Sequence, residues 1–90
     1  MSTAAHMAAM MQAVKASGAI VRLEPTAFER LAGKAEDPLV VVRHGDGMFG
    51  ERWEYLMGYK GLAFYAKSKT RLNLPGRAEV IEAKSLWMPA

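Results

Sequence analysis

Cysteine is absent from this chain of 90 residues. Its absence excludes disulfide bridges, thiolate zinc sites and a cysteine nucleophile. Long apolar runs are absent too, since none approaches the roughly 20 residues that cross a bilayer, and the N-terminus lacks the pattern of a secretory signal. The sequence therefore predicts a single cytoplasmic domain over residues 1–90 that binds no membrane. Residues 1–6 are interpreted as a disordered start or as residues left by cloning.

The residues that are present suffice for one hydrophobic core. Hydrophobic residues make up 51% of the chain and charged residues 23%, which excludes a disordered or low-complexity protein. A chain this short buries only roughly 60 to 65% of its unfolded surface, so its stability is marginal. Because disulfides are excluded, self-association is the expected additional source of stability, and a homo-oligomer is predicted.

The residues between Thr3 and Gly18 show the pattern of a helix. Ser2 and Thr3 suit the cap, Gly18 suits the end, and apolar side chains recur at helical spacing. Most of the remaining helix surface is alanine, so it offers little charge to water. Together with two aromatic residues of a later strand, this apolar stripe forms the predicted oligomer contact, which consists of Met7, Met10, Met11, Val14, Trp53 and Tyr55.

A strand, a helix and a second strand are predicted next. Residues 20–23 form a short strand that ends before Pro25, a residue well suited to open a helix. The helix carries an apolar stripe over residues 28–35. Residues 39–42 (LVVV) are a β-branched run that is typical of a strand covered on both faces, near the middle of a sheet.

The C-terminal half is predicted to be rich in strands. Glycines 45, 47 and 50 indicate a loop, and the aromatic content of residues 52–59 favours a strand, although a helix face is also compatible with that spacing. Lys60-Gly61 predicts a hairpin turn into residues 62–66. Residues 79–83 are the last predicted strand.

The predicted fold class is α+β. It comprises an N-terminal helix, a β-α-β crossover, and a C-terminal antiparallel hairpin plus last strand, all in one mixed sheet. Helices are expected to cover one face of this sheet. The other face, or a subunit contact, is where we expect the rings of Trp53, Tyr55, Tyr59 and Tyr65.

One part of the sequence carries a resemblance. Residues 59–65 (YKGLAFY), continued by residues 74–76 (LPG), 79–81 (EVI) and 87–89 (WMP), resemble small bacterial proteins of uncharacterised function. The resemblance extends over the C-terminal two thirds of the chain. It implies a natural single domain and carries no functional residue with it.

Residues 45–50 (GDGMFG) fit the pattern G-x-G-x-x-G. Such a loop cradles phosphate when it lies between a strand and the N-terminus of a helix. The segment that follows is more typical of a strand, and the region about 20 residues further on has no acid to hold a ribose. An ordinary glycine turn is therefore preferred, and no cofactor is predicted.

His44, Asp46 and Glu51 lie close together in the sequence and suggest a metal or acid-base cluster. A metal site normally needs three or four ligands in a defined geometry, so a solvated turn is the preferred interpretation. No metal site and no catalytic residue is predicted, and enzyme activity is disfavoured although it stays open. A pocket between subunits that includes His44 and Asp46 is the remaining enzyme-like alternative.

The segment from Tyr55 to Ala78 contains no acidic residue. Its cations are candidates for phosphate contact, and its tyrosines are candidates for stacking on bases. A hydrated loop that prevents strands from pairing edge to edge explains the same pattern. The predicted anion or nucleic-acid contacts are Lys60, Lys67, Lys69, Arg71 and Arg77.

The sequence thus leaves three functions open. The first is a small non-catalytic module that associates with itself or binds a protein partner. The second is a nucleic-acid or anion binder that uses the basic segment 60–77. The third is a ligand or enzyme-like pocket between subunits.

Overall fold

A computed structural model describes residues 20–84 of the chain. The predicted N-terminal helix, and with it the proposed contacts Met7, Met10, Met11 and Val14, lies outside the described residues. The elements within them, in chain order, are β1 (Ile20–Arg22), α1 (Pro25–Lys34), β2 (Leu39–Gly47), β3 (Gly50–Tyr59), β4 (Leu62–Ser68) and β5 (Glu79–Glu82). In this described part, no helix has both the length and the apolar character needed to cross a membrane.

The five strands form one sheet in the order β1-β4-β3-β2-β5. The three central strands are antiparallel, whereas β1 pairs with β4 and β5 pairs with β2 in parallel. Lys60 and Gly61 join β3 to β4 with φ values of 51° and 78°. Two positive φ values in a two-residue turn match the right-handed twist of the flanking strands. The predicted hairpin at Lys60-Gly61 is confirmed.

The predicted fold class is wrong. The described residues form a five-stranded mixed sheet with one short helix, so that strands make up 51% of them and helix only 15%. Much of the difference arises at the glycine-rich segment that the sequence analysis interpreted as a loop. Gly45 pairs with Arg52 and Gly47 with Gly50, so both strands continue to a two-residue turn at Met48 and Phe49. Ladder hydrogen bonds use only the backbone, and glycine at these positions therefore does not end the pairing.

One face of the sheet packs against α1. Phe28 and Ala32 of α1 are fully buried with side chains of the central strands, including Val40, Val42 and Tyr55. The ring of Tyr55 lies 5.8 Å from that of Phe28, and its hydroxyl accepts a 2.9 Å hydrogen bond from the Leu72 amide. Burial raises the pKa of Tyr55 above its usual value.

The opposite face of the sheet carries a smaller apolar cluster. Val41, Leu56 and Ala63 are buried there, with Leu39, Tyr65, Ile81 and Ala83 packed around them. The run at residues 40–42 is at most 3% exposed and alternates between the two faces, and β2 has a neighbour on each side. The prediction of a central strand covered on both faces is confirmed. Trp53 and Tyr55, however, lie on the α1 face rather than opposite the helix.

Candidate anion-binding surface

The five cations predicted to contact an anion do not form one surface. Lys60 lies in the turn before β4, and Lys69 directly follows the end of β4. The seven residues of β4 span roughly 23 Å at the usual rise per residue. Lys60 is therefore at the opposite end of the sheet from Lys67 and Lys69.

Arg77 has a structural position. Its guanidinium donates hydrogen bonds to the carbonyl oxygens of Gly33, Ala35 and Glu36, at distances from 2.6 to 3.2 Å. These carbonyls lie at the C-terminal end of α1, where a helix leaves acceptors without intrahelical partners and a cation is favourable. Arg77 thus binds the loop after β4 to α1 and is not positioned for a phosphate.

Arg71 belongs to a stack around Trp53. The His44 ring lies face to face with Trp53 at 3.8 Å, and the Arg71 guanidinium is 5.8 Å from the Trp53 ring. The His44 Nε2 atom is also 3.5 Å from an oxygen of Glu51. Among residues 20–84 no group of three His, Cys, Asp or Glu side chains is arranged to hold a metal.

Lys67 and Lys69 do share a surface, with two arginines that the sequence analysis did not select. A cleft of about 430 Å³, here called the hairpin-end cleft, brings these four cations together with one carboxylate. Its lining consists of Arg22, Phe49, Glu51, Arg52, Lys67, Ser68 and Lys69. Arg22 reaches the cleft because β1 pairs in parallel with β4, placing Arg22 beside Tyr65. No local sequence signal indicates that pairing.

A second cleft, here called the tip cleft, lies at the turn between β2 and β3. It measures about 410 Å³ and is lined by Arg43, Gly45, Asp46, Gly47, Met48, Phe49, Gly50 and Arg52. At this turn Met48 is 94% exposed and Phe49 is 83% exposed, and the Arg52 guanidinium lies 5.8 Å from the Phe49 ring. A strand, not a helix, follows Gly50, so residues 45–50 are a hairpin and not a phosphate cradle of the dinucleotide type.

A polar network lies on the sheet face opposite α1, next to the hairpin-end cleft. Glu54 accepts a 2.6 Å hydrogen bond from the Tyr65 hydroxyl and a 2.5 Å bond from Arg43, and the Arg43 Nε atom donates to the Lys84 carbonyl at 3.0 Å. Burial opposes ionisation of Glu54, but these two donors outweigh it and lower its pKa. Burial and the Glu54 carboxylate raise the pKa of Tyr65 to about 12. The charge of Lys67, which lies opposite Glu54 in the β3–β4 ladder and lines the cleft, also helps to lower the pKa of Glu54.

No family model, curated protein or solved structure matches this chain. Four cations around an open cleft can hold phosphate or carboxylate groups by charge-assisted hydrogen bonds.

The predicted oligomer contacts within the described part are Trp53 and Tyr55. Tyr55 is 1% exposed, so its side chain presents almost no surface to a second copy. Trp53 is partly buried, and its ring contacts the His44 ring and lies 5.8 Å from the Arg71 guanidinium. Self-association stays a prediction, and Met48 and Phe49 are the apolar side chains that the fold leaves most exposed among residues 20–84.

The aromatic residue missed by the sequence analysis is Phe49. Stacking on bases was predicted for Tyr55, Tyr59 and Tyr65. Tyr55 is in the core, Lys60 lies over Tyr59 at 5.4 Å, and Tyr65 is bonded to Glu54. An apolar pair between two glycines, at a place where polar turn residues are usual, is the sequence signal that marks Phe49.

Proposed function

We propose that this protein is a nucleic-acid-binding module and that the phosphates of its ligand bind in the hairpin-end cleft. The observation that carries the proposal is the convergence of Arg22, Arg52, Lys67 and Lys69 on one cleft. These residues come from three strands and the residue after β4, so the fold brings together charges that the chain separates.

The electrostatic balance of the cleft supports a polyanion as the ligand. Four cations face one carboxylate, Glu51, which also lies 3.5 Å from His44. Bringing four like charges together costs free energy that a bound polyanion recovers, with additional gain from released counterions. A cytoplasmic location, where nucleic acid is abundant, is part of the proposal.

The first prediction compares two double variants of equal net charge. Lys67→Ala with Lys69→Ala removes two cations of the hairpin-end cleft, and Lys34→Ala with Lys60→Ala removes two surface lysines from other parts of the fold. We expect the first pair to weaken binding of a fluorescent oligonucleotide. It should also lower the slope of log affinity against log salt by about 2, since each phosphate contact contributes about 1. Fluorescence anisotropy over a range of salt concentrations measures both quantities.

The control pair is expected to bind nearly as well as the wild type. Equal losses in the two double variants would show that net charge alone attracts the oligonucleotide and would contradict a defined cleft. Absence of binding by the wild-type chain at low salt would contradict the proposal as a whole.

A second candidate function is self-association or binding of a protein partner. The exposed Met48 and Phe49 favour it, since large apolar side chains together on a protruding turn are typical of contact surfaces. The enzyme-like pocket between subunits is not proposed, because the His44 ring is engaged by Trp53 and Glu51.

A further inference from the structure

Phe49 lies in an unusual place for a phenylalanine. It is 83% exposed at the tip of a hairpin, whereas Phe28 is fully buried in the core. The turn itself does not require an aromatic residue, because short hairpin turns are normally made of polar residues and glycine. The left-handed conformation that follows is provided by Gly50, at a φ of 95°. The ring is therefore not explained by the folding of the hairpin.

The position of Phe49 relative to the two clefts suggests its use. Phe49 and Arg52 line both the hairpin-end cleft and the tip cleft. The ring thus stands between the two clefts, with Arg52 common to both linings. The further cation of the tip cleft is Arg43, whose guanidinium also bonds Glu54 and the Lys84 carbonyl. Asp46 and Glu51 are the carboxylates in these linings, one in each cleft.

Building on the proposed function, we infer that the ligand is single-stranded nucleic acid that crosses the β2–β3 hairpin, with one base stacked on Phe49 and phosphates in both clefts. Nucleic acid alternates phosphates with flat aromatic bases, which matches cations on both sides of an exposed ring. In a duplex each base is stacked and paired, so a single strand turns a base onto a protein ring at a lower cost in free energy.

The glycines of the tip cleft fit this path. A Cβ atom added at Gly45 or Gly47 would meet no heavy atom within 4 Å, and neither residue has a positive φ. A larger residue would thus fit at either position. Because both residues are glycine, the backbone of the tip cleft is open to a ligand. Gly45→Thr places a β-branched residue in a strand, which favours the fold, and narrows the tip cleft.

The test uses the full chain and three fluorescent probes, of which the first two carry the same number of phosphates and the third carries twice as many. They are a single-stranded oligonucleotide, an abasic strand of equal length, and the duplex of the first sequence. We expect the wild type to bind the first more tightly than the other two. Phe49→Ala should weaken binding of the single-stranded oligonucleotide about tenfold and leave the abasic strand unchanged. Phe49→Trp should bind as tightly as the wild type, and Leu62→Ala, which removes an exposed apolar side chain at the opposite end of the sheet, is the matched control.

The outcomes separate this inference from the proposed function. If the abasic strand or the duplex binds as tightly as the base-bearing strand, or if Phe49→Ala has no effect, the inference fails while phosphate binding stands. If none of the probes binds at low salt, both fail. If polyglutamate displaces the single-stranded probe as effectively as unlabelled single strand does, the clefts bind an acidic protein. That result would overturn both the inference and the proposed function.

Gly45→Thr tests the path through the tip cleft on its own. We expect weaker binding of the single strand together with an unfolding midpoint equal to or above that of the wild type. Unchanged affinity in a folded Gly45→Thr variant would overturn the placement of a phosphate in the tip cleft.

Discussion

Glu54 is a carboxylate on the sheet face opposite α1, and its two oxygens have different partners. One oxygen receives the Tyr65 hydroxyl and the other receives Arg43. A half-buried carboxylate is costly without partners, because burial disfavours its charged form. The two donors reverse this effect, so the pKa of Glu54 is lowered and its carboxylate stays ionised beside the hairpin-end cleft.

The second prediction concerns Tyr65→Phe, which removes the hydroxyl that donates to Glu54. We expect the free energy of unfolding at pH 7 to fall by about 1 to 2 kcal/mol, because a charged acceptor loses a partner in a partly buried place. Folding raises the pKa of Tyr65 from 10.0 to about 12. The resulting stability is complete below pH 10 and is lost as the pH rises towards 12. The variant should therefore lose less stability than the wild type over that interval.

Urea unfolding followed by tryptophan fluorescence measures both effects. Tyr59→Phe, at the last residue of β3 and away from Glu54, is the control. Its free energy of unfolding should depend on pH as that of the wild type does. At acid pH the free energy of unfolding changes in the opposite direction. The lowered pKa of Glu54 gives stability that is present above pH 4.5 and is lost as the pH falls below it. A Tyr65→Phe variant with the wild-type alkaline slope would contradict the proposed network.

At the scale of elements, α1 depends on the rest of the fold. Ten residues are too few for a helix that is stable alone in water. Burial of Phe28 and Ala32 attaches one side of α1 to the sheet. Hydrogen bonds attach both halves of α1 to the loop after β4, since the Asn73 amide donates to Glu29 at 2.5 Å and Arg77 binds the C-terminal carbonyls.

The third prediction tests the contact between this loop and α1. Arg77→Met keeps most of the aliphatic stem but removes the donors to the helix carbonyls, and we expect the free energy of unfolding to fall by about 1 to 3 kcal/mol. Oligonucleotide affinity of the folded variant should equal that of the wild type, because Arg77 lies in neither cleft. Arg30→Met, an exposed residue of α1, is the control for loss of one charge. A loss of oligonucleotide affinity in Arg77→Met but not in Arg30→Met would show that Arg77 contacts the oligonucleotide and would contradict this prediction.

At the scale of the whole molecule, charge is unevenly distributed although the net charge is only +3. One end of the sheet carries the hairpin-end and tip clefts, and the core lies beneath α1 and along the central strands. Substitutions in the clefts are therefore expected to change binding more than stability. Sites more than about 10 Å apart that share no partner usually behave independently.

The fourth prediction concerns self-association. Sedimentation velocity over a wide range of concentrations should show an average mass that rises above 9.9 kDa. Because a hairpin tip offers far less than the 1,000 Å² or so of a stable interface, we expect the association through Met48 and Phe49 to be weak. Phe49→Asp should reduce the rise in mass, and Leu62→Asp, at the opposite end of the sheet, is the control. A constant mass of 9.9 kDa at all concentrations would contradict self-association.

Features that depend on neighbouring residues could be predicted from the sequence alone. The buried run at residues 40–42 and the turn at Lys60-Gly61 follow from side-chain branching and from positive φ, both local properties. The absence of cysteine likewise determined which chemistries are excluded. The hairpin at residues 45–50 was not predicted, because glycines that pair across strands have the same composition as glycines in a loop.

The binding surface was decided by the tertiary structure. Arg22 and Lys67 line one cleft only because β1 pairs with β4. Arg77 lies away from the other cations only because the loop after β4 folds back on α1. The sequence by itself determined the local conformations and the supply of cations. Strand order and register decided which of those cations meet, because pairing between distant segments depends on the packing of the whole sheet and not on any short stretch of the chain.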